Sequence, residues 1–174
     1  RGATAATSQL VSPYDAGHVA PDPYPDADFD RGEDPILDGF TRAYGAAFVA
    51  YARNELGFAT DMTYNLLNTD VNRKWDWSDG NAGSRSDASV TDDIRVLLST
   101  IPSFRLMVTH GYSDALTPYG ASRYVLEHLP PTLAKGRVSL KLYRGGHMYY
   151  TDNAARIDAS NDARAFFTHA STID

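Results

Sequence analysis

The 174-residue chain contains no cysteine. That excludes disulfides, thiolate zinc sites and a cysteine nucleophile. Long apolar runs are missing too. The longest stretch, Ala43 to Ala52, is interrupted by tyrosine and glycine and falls far short of the ~20 residues a membrane span requires, so no membrane span is expected. Basic charge is scarce: 16 lysines and arginines stand against 22 acids. No basic face is available to neutralise phosphates, which argues against nucleic acid as a partner. The first residue is Arg1 rather than Met, and no charged-then-apolar leader follows it, so the natural start is expected to lie upstream. What is present is the composition of a folded protein, 43% hydrophobic and 22% charged, with length for one ordinary domain of roughly 150 residues. The acidity is concentrated. Asp15, Asp22, Asp26, Asp28, Asp30, Glu33, Asp34 and Asp38 face only Arg1 and Arg31 within the first forty residues, and the remainder of the chain is neutral.

Residues 1–35 read as extended or loop, because Pro21, Pro23 and Pro25 remove amides and restrict the residues before them. Asp34-Pro35 is a helix start, with Asp as cap and Pro at the first helical position. Ile36, Leu37, Phe40, Tyr44, Phe48 and Tyr51 then recur at helical spacing as far as a break near Gly57. A second helical piece is expected over Asp61–Leu67, an exposed loop at Gly80–Gly83, and a helix over Asp92–Ser99 capped by Thr91. The last third alternates. Phe104–Thr109 reads as a buried strand, Thr117-Pro118 opens a helix to Leu129, Val138–Tyr143 reads as a second strand, and a final helix covers Ala154–Ala170. This order predicts an α/β fold, a parallel sheet with crossover helices.

In such sheets, functional groups collect beyond the carboxyl ends of the strands. Each expected strand there runs into a turn with one titratable side chain: Asp114 after the first, His147 after the second. An aspartate that orients a histidine is one half of a nucleophilic triad. Asp preceding His is the chain order of the α/β-hydrolases, in which both follow a serine. Taken singly, each residue also fits a plainer role, Asp114 as a turn and cap residue ahead of Thr117-Pro118 and His147 as a loop histidine.

Gly111-Tyr112-Ser113-Asp114, with Pro118 four positions beyond, resembles the catalytic-aspartate segment of the serine carboxypeptidase family. Gly145-Gly146-His147-Met148 is similar to that family's catalytic-histidine segment. Ser12–Ala16, Asp34–Phe40, Tyr64–Asn68 and Arg73–Trp77 look like its bacterial branch. The resemblance implies the C-terminal half of an α/β-hydrolase that removes C-terminal residues from peptides. Residues 1–95 would form an acidic loop and helical cap, and 96–174 the last part of the core. Asp114 would orient, His147 would act as general base and acid, and Met148 would bind substrate beside the leaving-group pocket. No cofactor or metal is implied, and the setting would be secreted or periplasmic. The sequence departs from the family at Tyr149-Tyr150, where a small residue and proline are usual. It departs more seriously in the nucleophile, because no serine has glycine at both −2 and +2. The chain alone is therefore expected to be inactive, its partner being an N-terminal half with the Ser nucleophile. An acyltransferase or another α/β-hydrolase on the same triad is an alternative, as is a non-catalytic interaction module.

Other clusters are weaker. Asp26, Asp28, Asp30 and Gly32 suggest a calcium loop, but positions six and twelve are Arg31 and Leu37 instead of Gly and Glu. His110, Asp114 and His147 form a conceivable zinc set with no obvious fourth ligand. His18 and His169 read as surface residues, and His128 as a helix-end cation. Trp75 and Trp77 are expected to pack a helical cap onto the core, or to wall the substrate cleft.

Overall fold

A computed structural model of the chain describes residues 8–27, 34–77 and 89–170. The Gly80–Gly83 loop and most of the acidic calcium-loop candidate lie outside the described residues. The fold is mixed α/β, with two small sheets among the described residues, and it divides into two compact units. The first comprises Arg1–Leu10 and Ala20–Ala88, the second Val11–Val19 and Ser89–Asp174. Strands β1 (Gln9–Val11) and β2 (Val19–Pro21) pair as a two-stranded sheet within the stretch read as extended or loop.

In the first unit, helix α1 (Pro35–Asn54) begins as its sequence dictates. The Asp34 carboxylate accepts from the amides of Ile36 and Leu37 at 3.0 Å each. Phe40 stacks on Tyr44 one turn along, and Phe48 packs against Tyr64. Arg53 donates to the Thr60 carbonyl, holding the following loop against the helix end. The helix expected over Asp61–Leu67 does not form. The Thr60 hydroxyl accepts the Met62 amide, a local bond that competes with helical pairing. The Asn68 side chain instead caps a later helix, α2 (Thr69–Lys74), by accepting from Asp70 and Val71. Trp75 and Trp77 follow it, 59% and 37% exposed, with their rings 6.3 Å apart.

In the second unit, helix α3 (Thr91–Thr100) includes Thr91 as its first residue rather than as its cap, and the Ser89 hydroxyl takes the Thr91 amide. Its last turn has no basic residue of its own. Arg137 supplies that cation from elsewhere, donating to the carbonyls of Leu98, Ile101 and Phe104. Strand β3 (Leu106–Gly111) starts two residues later than expected, and β4 (Val138–Tyr143) has the expected bounds. They pair in parallel, with Leu106 opposite Val138 and Gly111 opposite Tyr143. Between them run α4 (Tyr119–Glu127) and the short α5 (Pro131–Ala134), which the Pro130-Pro131 pair starts rather than interrupts. The last helix, α6, is Asn153–Ala170.

Side-chain bonds reveal how the sheet is covered. His110 bonds Ser122 of α4 at 2.8 Å, whereas Lys141 and Tyr143 bond Asp162 of α6. Because strand side chains alternate faces, α4 and α6 lie on opposite faces. Both strands are only half-buried along most of their length.

Candidate active site

The register decides the site. Gly111 and Tyr143 end their strands opposite one another, so the turns that follow run side by side. The Tyr112 amide bonds the Tyr143 carbonyl at 2.9 Å, and the Ser113 amide bonds that of Gly145 at 3.0 Å. This pairing brings Asp114 and His147, 33 positions apart, to a 2.9 Å contact between Asp114 Oδ2 and His147 Nδ1.

The two oxygens of Asp114 divide the work. Oδ1 accepts from the amides of Leu116 and Thr117, at 3.0 and 2.9 Å. Oδ2 accepts from the Thr117 hydroxyl at 2.7 Å and faces His147. The two readings of Asp114 open at the sequence level, turn cap and histidine partner, are therefore both realised, one per oxygen. Burial pushes the carboxyl up, but the Thr117 amide, the Thr117 hydroxyl and His147 outweigh it and hold Asp114 below its ordinary value. An ionised carboxylate only accepts, so the Nδ1 facing it takes the proton and Nε2 is left with its lone pair. The Asp114 side chain is 3% exposed and that of His147 39%. A fixed acid behind a partly open imidazole is the arrangement for passing a proton at Nε2.

Glycines make the close approach possible. A Cβ on Gly111 would lie 2.0 Å from the Gly146 carbonyl oxygen, and one on Gly146 would lie 2.0 Å from that of Tyr14. Three backbones are thus layered: the β3 turn, the β4 turn and the segment Ser12–His18. In that third layer the Tyr14 carbonyl accepts the His147 amide at 2.6 Å, and the Tyr14 ring meets the imidazole edge-on at 5.6 Å. Asp15 accepts from the Ser113 hydroxyl at 2.6 Å and from the Gly17 amide, and it pairs with His18. Burial raises the Asp15 carboxyl, and these partners together bring it below its ordinary value.

Met148 is half-buried, and its carbonyl accepts from the Thr151 amide and hydroxyl in the short turn Tyr149–Thr151. Tyr149, where the resemblance broke down, has a structural function of its own. It stacks on Tyr143 at 4.9 Å and donates to the Thr109 hydroxyl, tying the turn after His147 to both strands. Tyr143 in turn donates to Asp162, which Lys141 also bonds. Burial and then Asp162 push the Tyr143 hydroxyl above its ordinary value, while Lys141 and Tyr143 hold Asp162 below its own.

The zinc set is not assembled. His110 bonds Ser122 instead, and among the described residues no three His, Asp or Glu side chains are grouped to hold a metal. His18 is exposed, and His128 caps the end of α4 through its bond to the Tyr124 carbonyl. Among the described residues no helix is long and apolar enough to cross a membrane. Thr117 and Asp15 lie outside the strand-end pattern that marks Asp114 and His147. Thr117 had a signal, the Asp-x-x-Thr spacing of a capping turn; Asp15 had none, because its partner Ser113 is 98 positions away.

No family model, curated protein or solved structure matches the chain.

Proposed function

We propose that this chain supplies the acid and the base of a Ser–Asp–His triad in a serine carboxypeptidase-like α/β-hydrolase. The observation that carries the reading is the Asp114–His147 contact at the ends of two neighbouring parallel strands. In this mechanism His147 Nε2 takes the proton of a serine hydroxyl as that oxygen attacks the scissile carbonyl. His147 then returns the proton to the departing amine, and water repeats the cycle on the acyl-enzyme. Asp114 stays ionised and stabilises the imidazolium. The serine lies outside these 174 residues, on an N-terminal half of the same enzyme.

Two features support an incomplete core. A two-stranded parallel pair does not ordinarily stand alone, and parallel strands are normally buried on both faces, whereas β3 and β4 are half-buried. Large apolar side chains such as Val96, Ile101 and Ile157 are also exposed in the second unit.

The substrate expectation, a peptide with a free C-terminal carboxylate, comes from the resemblance of the two turn motifs. It is tested on protein that carries this chain together with the polypeptide upstream of Arg1. Release of a C-terminal residue from a blocked dipeptide is expected, and it should fall by roughly 10,000-fold or more in Asp114→Ala and in His147→Ala. Undiminished release by either variant would refute the assignment.

A further inference from the structure

We infer that Asp15 is a positioning residue for the proposed reaction, acting as the clasp of a strap, Ser12–His18, that holds His147 in place. The inference rests on the reading of His147 as the base. The strap reaches that base by two direct contacts, the Tyr14 carbonyl on the His147 amide at 2.6 Å and the Tyr14 ring against the imidazole. It is pinned to the β3 turn on both sides of Asp15: the Ala16 amide bonds the Ser113 carbonyl at 2.8 Å, and the Ala115 amide bonds the Pro13 carbonyl at 3.0 Å. The Asp15 carboxylate closes the clasp from within. Its Oδ1 takes both the Ser113 hydroxyl and the Gly17 amide, so one oxygen joins strap to turn and fixes the strap's own bend.

Ser113, Asp15 and His18 contain the residue types of a triad, but the carboxylate lies in the middle. The imidazole of His18 touches Asp15, and the Ser113 hydroxyl also touches Asp15. A nucleophile needs the imidazole between hydroxyl and carboxylate, where it can take the proton and keep the charge. This order suits holding rather than chemistry. The chain of effect therefore runs from Asp15 to the strap, from the strap to the His147 backbone and ring, and from there to the Nδ1–Asp114 bond.

The test uses protein that carries this chain together with the polypeptide upstream of Arg1, uniformly labelled with 15N, and needs no turnover. In Asp15→Ala the His147 amide should exchange about tenfold faster, because it loses the support of one to two hydrogen bonds, and the Nδ1–H resonance of His147 should broaden or vanish. Asp15→Asn keeps an oxygen for Ser113 and Gly17 and should restore both. Ser113→Ala, which removes only the hydroxyl, should give a smaller change in the same direction and serves if Asp15→Ala does not fold. The Leu106 amide, bonded to Arg137 at the far end of β3, reports whether the sheet is intact. In the same protein, kcat should fall in Asp15→Ala with KM unchanged. A protected His147 amide and an intact Nδ1–H signal in both Asp15→Ala and Ser113→Ala would overturn the strap. An unchanged kcat in a protein whose His147→Ala variant is dead would overturn its part in the reaction. The two readings separate cleanly: if His147→Ala retains activity the hydrolase reading fails, while the exchange and imidazole spectra still decide for or against the strap.

Discussion

Replacing Gly146 by alanine is the sharpest perturbation of the layered backbones. The added Cβ would lie 2.0 Å from the Tyr14 oxygen and 2.6 Å from Asp15 Cα, both backbone atoms. Ordinary contact begins near 3.4 Å, so the strap must retreat by about 1.4 Å. A retreat of that size removes the His147–Tyr14 bond, now 2.6 Å, and strains the two that flank it at 2.8 and 3.0 Å. Three bonds at ~0.5–1.5 kcal/mol each bound the loss at roughly 1.5–4.5 kcal/mol. For a chain of this size that corresponds to a fall in melting temperature of about 5–15 °C. The control is Gly120→Ala, at the second residue of α4 with nothing within 4 Å of an added Cβ; it should be neutral or stabilise by up to ~1 kcal/mol. Thermal denaturation followed by far-UV circular dichroism compares the two. If Gly146→Ala melts within a degree of the parent and keeps its His147 amide protected, the layering argument is wrong.

Two further outcomes follow from the same geometry. Arg137→Lys keeps the charge but loses the planar fork that reaches the carbonyls of Leu98 and Ile101 at the end of α3 and of Phe104 beyond it, and it should cost ~1–3 kcal/mol in urea denaturation; a loss below about 0.5 kcal/mol would show the fork to be dispensable. Asp114 is held below its ordinary value of 3.8, so between that value and its folded pKa the unfolded state binds more protons. Its contribution is therefore fully present above about pH 5 and is lost as pH falls through the folded value. Acid titration of stability should show a shallower slope below pH ~4 in Asp114→Asn than in the parent, and an identical slope would refute the pairing.

The features legible in the sequence were those set by neighbours along the chain. Asp34-Pro35 announced α1, and β4 was readable from a six-residue run, Val138–Tyr143, ahead of Gly145-Gly146-His147. The failures were local competition or long reach. Nothing in the Asp61–Leu67 pattern says that the Thr60 hydroxyl will take the Met62 amide, or that Asn68 will start the helix later. For the candidate site, both titratable residues were visible as strand-end turns and the parallel direction followed from element order, but the adjacency and register that join them are set by long-range pairing. Thr117, which holds Asp114 Oδ2, was seen only as a helix start. The strap was invisible to any local pattern, since its clasp closes between residues 98 apart.

The central claim is that His147, oriented by Asp114, activates a serine supplied from outside this chain. Labelling by a serine-directed fluorophosphonate tests it most directly, because the probe reports nucleophile activation whatever the natural substrate. Protein carrying this chain with its upstream part should label at one serine, and His147→Ala should abolish that labelling. No labelling, or labelling that survives His147→Ala undiminished, would contradict the account.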